Sequence, residues 1–141
     1  MDASDTTSTE PDKRLIVIVE SDEAIRNSMA FLLEADDYRV RAFGKGEALL
    51  LDPPPFSADA FVIGHQLVDM PGARLLKQLR DAGARAPALF VASAPSAMTR
   101  RAAAALGAAI LQKPLLGNAL RQALQGCLAC APDSGAAARL P

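Results

Sequence analysis

The sequence of 141 residues predicts an α/β fold in which helices cover both faces of a parallel sheet. Five short apolar segments alternate with five segments in which apolar residues recur at helical spacing. The first segment, R-L-I-V-I-V at 14–19, is continuously apolar after Arg14 and mostly β-branched, which is typical of a strand buried on both faces. Right-handed crossovers between such strands give a doubly wound sheet.

A polar segment, E-S-D-E at 20–23, joins the first strand to the first helix. Ser21 is the predicted N-cap, and the acidic residues after it suit the positive end of a helix dipole. The apolar stripe of this helix recurs at i, i+4, i+7 and i+8 and consists of Ile25, Met29, Leu32 and Leu33. The stripe predicts that the helix lies on one face of the sheet.

The middle of the chain repeats this alternation. We predict a second strand over 38–43, a short helix over 44–51, a third strand over 60–64 and a third helix over 73–82 that stops at Gly83. Three consecutive prolines at 53–55 end the short helix. The third strand, A-F-V-I-G, delivers Gly64 and then His65 into a loop that M-P-G closes at 70–72.

The last elements complete a flavodoxin-like (βα)5 arrangement. A fourth strand is predicted over 87–92, a fifth over 108–111 and a fifth helix over 115–130. The fourth helix ends at Gly107 and is marked by Met98, Ala102, Ala105 and Leu106. The common order for five such strands is 2-1-3-4-5, with a crevice between the carboxyl ends of strands one and three. This order places Glu20, Ser21 and Asp22 opposite Gly64 and His65.

Composition separates the ends of the chain from its middle. We interpret residues 1–12 as a disordered leader, 13–130 as one domain and 131–141 as a flexible tail. No apolar run approaches the roughly 20 residues that span a bilayer, and the acidic N-terminus is unlike a signal peptide, so we expect a cytoplasmic protein without a membrane partner. A net charge of −1 and a chain that ends soon after the fifth helix argue against direct nucleic-acid binding.

Cys127 and Cys130 form a C-x-x-C motif on the apolar stripe of the last helix. Zinc takes four ligands, and the sequence contains two cysteines and one histidine. We therefore favour packing as the role of both cysteines, with a redox role left open. We expect no metal site and no cofactor.

Several segments of the chain resemble the receiver domain of two-component response regulators, most closely the nitrogen-fixation regulator type. The resemblance covers about 13–126 and includes V-E-S-D-E-A-I-R-N-S-M-A-F-L-L at 19–33, D-M-P-G at 69–72, L-F-V-A-S at 89–93, A-L-G-A at 105–108 and Q-K-P at 112–114. It implies the flavodoxin-like fold and a role in bacterial signal transduction. It also implies a protein partner such as a histidine kinase or another regulator.

The resemblance further implies that the phosphorylation site is degenerate. A typical receiver accepts a phosphoryl group on an aspartate that ends strand three, and the matching position here is Gly64. An acyl phosphate cannot form there, because the carboxylate nucleophile is absent. The acidic pair that holds Mg²⁺ with that aspartate matches Glu20 and Ser21, which makes Mg²⁺ binding doubtful.

Two further family positions are altered and one is retained. The hydroxyl residue that ends strand four matches Ala92, and the aromatic switch residue of strand five matches Ile110. The retained lysine is Lys113, which we expect to pair with Glu20 either as a conformational lock or as an ordinary salt bridge. We therefore interpret the chain as a stand-alone pseudo-receiver that is not an enzyme and signals by phosphorylation-independent protein binding.

Two other functions stay open. The chain could accept a phosphoryl group on His65 or Asp69, although the His65 side chain should leave the strand opposite that of residue 64 and Asp69 should face solvent. Alternatively, the emptied crevice could bind a small molecule. The usual dimer and output face of receivers is formed by the fourth helix, the fifth strand and the fifth helix, and here it would carry Arg100, Arg101, Ile110, Gln112 and Arg121.

Overall fold

Five parallel strands form one sheet in the order β2-β1-β3-β4-β5, which confirms the predicted order 2-1-3-4-5. The strands are β1 (Leu15–Val19), β2 (Arg39–Phe43), β3 (Ala60–Gly64), β4 (Ala88–Ala92) and β5 (Ala108–Gln112). Each strand bound lies within one residue of its prediction. The computed structural model describes residues 13–51, 58–113, 115 and 118–129. The leader, the prolines at 53–55, Cys130 and the tail lie outside the described residues.

Five helices cover the sheet on both faces. They are α1 (Glu23–Ala35), α2 (Gly46–Leu50), α3 (Gly72–Asp81), α4 (Ala97–Ala105) and α5 (Ala119–Ala129). Buried side chains of α1 and α5 pack on one face, and those of α2, α3 and α4 pack on the other. No helix in these described ranges has the length and apolar character needed to cross a membrane.

The core consists of the three central strands and the helix stripes that cover them. Every residue of β1, β3 and β4 is buried, whereas β2 and β5 form the two edges and are partly exposed. Successive side chains of a strand point to opposite faces, so Phe61 and Ile63 join one apolar cluster while Ala60 and Val62 join the other. This two-sided burial is the reason the central strands read as continuous apolar segments.

Three residues assigned to helix stripes from the sequence, Leu32, Met98 and Ala105, are exposed. Leu32 is 42% exposed, because it lies about 80° around α1 from the centre of the buried pair Met29 and Leu33. Met98 is 74% exposed, because it lies about 140° around α4 from Ala103, the buried residue of that helix. A helix on a sheet buries one narrow stripe, so the predicted stripes were too wide here.

Gly72 allows α3 to begin directly against the end of β3. Its amide donates a hydrogen bond to the His65 carbonyl oxygen (2.7 Å). A Cβ atom at this position would overlap the Gly64 carbonyl oxygen and would lie 3.0 Å from Ile63 Cγ2. The obstacle is main-chain oxygen, which cannot move without shifting the strand, so the loop between β3 and α3 depends on glycine at this point.

We expect opposite effects from alanine at two helical glycines. Gly72→Ala should lower the free energy of unfolding by about 2 kcal/mol, since its Cβ would overlap main chain. Gly126→Ala in α5 should raise it by up to about 1 kcal/mol, because a Cβ there meets no atom within 4 Å and alanine favours the helix. Urea denaturation of both variants measures the two changes. A Gly72→Ala variant as stable as wild type would contradict the close approach.

Candidate functional site

Glu20 follows β1 directly and is the one charged residue that is buried in the described part of the chain, with 3% of its surface exposed. Its main-chain amide donates to the Phe43 carbonyl oxygen (3.0 Å), and its carbonyl oxygen accepts from Arg26 Nη1 (2.7 Å). Its side-chain Oε2 accepts from the Asp22 amide (3.0 Å). These contacts fix the carboxylate in the crevice formed by the carboxyl ends of β1 and β3.

Gly64 ends β3 and faces this carboxylate. A Cβ atom built on Gly64 would lie 2.9 Å from Glu20 Oε1 and 3.2 Å from Leu67 Cδ2. The first distance is shorter than real Cβ contacts tolerate. The space in which a side chain of residue 64 would begin is therefore occupied by the end of the Glu20 side chain.

Lys113 supplies the positive charge opposite Glu20. Its amide donates to the Ala92 carbonyl oxygen (2.8 Å), which places the side chain at the end of β5 beside the crevice. The ammonium Nζ lies 3.5 Å from Glu20 Oε1, and the two side chains are 22% and 4% exposed. Oε1 has no hydrogen-bond partner among the described residues, so the ion pair alone compensates its charge. The structure thus contains the predicted Lys113–Glu20 pair.

Ser21 connects two loops and does not cap the helix. Its hydroxyl donates to the Gly44 carbonyl oxygen (3.2 Å) and accepts from the Val68 amide (2.8 Å). The N-cap of α1 is Asp22, whose Oδ1 accepts from the Ile25 amide (3.1 Å). The predicted N-cap at Ser21 was therefore wrong, because the Ser21 hydroxyl joins the loop after β2 to the loop after β3.

Asp69, at the tip of the loop after β3, caps α2 from a distant part of the chain. Its two carboxylate oxygens accept from the amides of Gly46 (3.0 Å) and Glu47 (2.9 Å), while the N-cap residue Lys45 makes no side-chain cap. Desolvation raises the pKa of Asp69, but the hydrogen bonds from these amides, its own amide and the charge of Lys45 together outweigh it and lower the pKa below 3.8. Asp69 is exposed, as expected, but its carboxylate is bound to a helix end.

His65 turns toward α4. Its amide donates to the Val91 carbonyl oxygen (2.9 Å), and its Nε2 lies 3.3 Å from Thr99 Oγ1. The hydroxyl of Ser96, the N-cap of α4, in turn lies 3.1 Å from Thr99 Oγ1. His65 and Gly64 therefore contact different neighbours, since Gly64 faces Glu20 across the crevice.

The remaining predicted residues divide between surface and core. Ala92 is buried; Arg100, Arg101 and Gln112 are exposed; and Ile110 is half-buried. Arg121 is also exposed, but its Nε lies 3.5 Å from Asp36 Oδ2 beyond the end of α1.

Metal-ligating residues do not cluster in the residues that the structure describes. Nowhere in these ranges do three or more histidine, cysteine or acidic side chains come together in a way that could hold a metal ion. Cys127 is half-buried on α5 beside the apolar cluster, as packing would require. Its predicted neighbour in the motif, Cys130, lies outside the described residues.

The chain is similar to known signalling proteins. A family model described as the response regulator receiver domain matches residues 16–125. The transcriptional regulatory protein FixJ of Azorhizobium caulinodans is 27% identical over 126 residues, which cover 89% of this chain and 60% of FixJ. FixJ of Rhizobium meliloti is 26% identical over 111 residues, which cover 77% of this chain and 53% of that protein. The chain therefore spans little more than half the length of these relatives.

Solved structures show the same architecture. The non-phosphorylated HemR receiver domain from Leptospira biflexa superposes with a TM-score of 0.75 at 27% identity, covering 82% of this chain and 94% of that domain. A crystal structure described as FixJ-N superposes with a TM-score of 0.74 at 23% identity, covering 84% of this chain and 96% of that one. The second likeness shows the fold alone.

We expect substitutions of Lys113 and Glu20 to have coupled effects on the free energy of unfolding. Lys113→Met should destabilise the protein by about 2 kcal/mol, because it leaves a buried carboxylate without a counter-charge, and adding Glu20→Gln should recover most of that loss. A double-mutant cycle by urea denaturation measures the coupling. The matched control is the exposed pair Lys77 and Asp81, for which we expect about 0.5 kcal/mol or less. Additive effects of the Lys113 and Glu20 substitutions would refute the coupling.

The cap at Asp69 predicts a pH-dependent contribution to stability. Because the folded pKa is lowered, the cap stabilises the protein above the ordinary value of 3.8 and loses its effect as the pH falls through the lower folded value. Asp69→Asn should cost about 1 kcal/mol or less at pH 7, and the difference from wild type should shrink below pH 3.8. Asp81→Asn, in an exposed helix pair, is the control. A deficit for Asp69→Asn that is the same at pH 7 and pH 3 would contradict the cap.

Proposed function

This chain belongs to the response regulator receiver domain family of two-component signalling, and we propose that it acts there as a pseudo-receiver. In this role it binds a protein partner and accepts no phosphoryl group. One observation carries the proposal. At the end of β3, Gly64 provides no nucleophile, and the Glu20 carboxylate fills the space beside it.

Glu20 is poorly suited to replace the missing nucleophile. A carboxylate attacks a phosphoryl donor only if one of its oxygens is accessible to that donor. The Glu20 side chain is 4% exposed, its Oε2 accepts a hydrogen bond, and its Oε1 faces Lys113. These contacts favour a structural carboxylate over a reactive one.

The loops around the crevice are held by the chain itself. Ser21 joins the loop that follows β2 to the loop that follows β3, and Asp69 binds the start of α2. Lys113 is engaged by Glu20. A crevice that is ordered by its own side chains needs no phosphoryl group or metal ion to organise it, which supports a phosphorylation-independent binding module.

The alternative phosphoacceptors have less support. Both carboxylate oxygens of Asp69 accept amide hydrogen bonds at α2, so a phosphoryl group there would displace a helix cap. His65 is directed to Thr99 and is the one histidine of the chain. A small-molecule site at Gly64 is also less favoured, because Glu20 and Leu67 occupy the space beside it.

Receiver domains interact with histidine kinases, and we propose a histidine kinase or another regulator as the partner here. The binding face would be formed by α4, β5 and α5, where Arg100, Arg101 and Gln112 are exposed beside Ile110. The same face would support a homodimer. Arg121 makes a smaller contribution in this arrangement, because it is directed to Asp36.

Incubation with acetyl phosphate and Mg²⁺ at neutral pH, followed by intact mass measurement, tests the proposal. We expect no gain of a phosphoryl group by the wild-type chain, because Gly64 supplies no carboxylate at the end of β3 and the Glu20 carboxylate is buried. A receiver domain whose third strand ends in aspartate, treated in parallel, is the positive control. A phosphorylated wild-type chain would overturn the pseudo-receiver function, and the variants His65→Asn and Asp69→Asn would then identify the acceptor.

A further inference from the structure

A groove lies at the opposite end of the sheet from the crevice. It is formed where β4 and β5 begin, between the turn that follows α3 and one side of α5. Its volume is about 860 Å³, which is within the range of small-molecule binding sites. None of the crevice residues Glu20, Gly64 or Lys113 lines it.

Small residues keep this groove open. Ala109 on β5 and Ala123 and Gly126 on α5 are among its lining residues, with Leu106 at the end of α4. A Cβ atom at Gly126 would meet no atom within 4 Å, so packing within the described part of the chain does not require glycine there. Glycine inside a helix is less stable than alanine. The absence of a side chain at Gly126 makes the groove wider.

Two arginines stand at the rim of the groove. Arg80 and Arg85 line it, and no acidic residue is among its described lining residues. Arg80 Nη1 donates to the carbonyl oxygens of Ala84 (3.2 Å) and Ala86 (2.7 Å), which holds this guanidinium at the wall. Arg85 is exposed and makes no ion pair or side-chain hydrogen bond with any described residue. Its donors are therefore available to a ligand.

We propose that this groove binds a small amphipathic anion of the medium-chain carboxylate class. The carboxylate binds Arg85, whose planar guanidinium can donate two parallel hydrogen bonds to it. The alkyl chain lies along Ala109, Ala123 and Gly126, where its burial is favourable. The site goes beyond the pseudo-receiver function and does not depend on it.

Occupancy of the groove would reach the proposed partner face. Ile110 lines the groove and also lies on the face formed by α4, β5 and α5. Residues of β5 and α5 also line the groove, so a ligand bound there contacts elements that form the partner face. A ligand bound in the groove would therefore change the affinity for the partner.

Titration of the full chain with decanoate below its micelle concentration tests the site. We expect saturable binding by calorimetry, with amide chemical-shift changes at Gly107 and Gly126. Decanol, which has the same chain without the charge, should bind at least about 10-fold more weakly. Absence of saturable decanoate binding, or equal affinity for decanol, would overturn the proposal.

Variants distinguish this site from non-specific binding. Gly126→Leu should fill the groove and abolish decanoate binding without loss of folded protein, since the added side chain enters open space. Ala104→Leu, on the exposed side of α4 away from the groove, should retain binding and is its control. Arg85→Gln should weaken binding at least about 10-fold, whereas the control Arg74→Gln, which does not line the groove, should not.

Three outcomes of these experiments would refute the proposal that the groove binds a carboxylate ligand. Decanoate binding that survives both Gly126→Leu and Arg85→Gln would place the ligand elsewhere. Decanoate binding abolished equally by Ala104→Leu and Arg74→Gln would show a general effect on the fold. Self-association in sedimentation that Gly126→Leu removes without ligand would assign the groove to a second copy of the chain. The acetyl phosphate experiment is independent of all three.

Discussion

One buried carboxylate determines how the carboxyl end of this sheet is built. The Glu20 carboxylate is buried at the end of β1. An amide hydrogen bond and the ammonium group of Lys113 at the end of β5 offset the cost of its desolvation. Its position requires an empty space at residue 64, which glycine supplies. The ends of β1, β3 and β5 thus meet at the Glu20–Lys113 ion pair, and Ser21 and Asp69 connect the loops around it.

Periodicity was sufficient to predict the fold, because its elements depend on short-range patterns. Continuous apolar segments gave the central strands, and the alternation of strands with helices gave the parallel order. The errors lie where a helix touches the sheet through fewer residues than its apolar content suggests, as at Leu32 and Met98. Helix propensity and stripe spacing do not specify how far a helix extends over its neighbours.

The site was predictable only in part. The fold order brings the ends of β1, β3 and β5 together, so the meeting of Glu20, Gly64 and Lys113 followed from topology and charge. The hydrogen bonds of Ser21 and Asp69 did not, because they depend on the path of loops whose partners are more than twenty residues away. The local capping signal at Ser21 was overridden by its distant partners, the carbonyl oxygen of Gly44 and the amide of Val68. The available signal for Asp69 was an acidic residue beside M-P-G, and this signal did not show that α2 is the helix it caps.

The cap that Asp69 places on α2 has a consequence for the order of folding. A helix of five residues is far below the length at which helices persist alone in water, since nucleation costs more than so few hydrogen bonds return. Its amide partners lie 22 and 23 residues before the capping carboxylate. We therefore expect the helix to become stable only after β3 has joined the sheet and its loop has closed. Although α2 precedes β3 in the sequence, we expect it to be completed after β3 during folding.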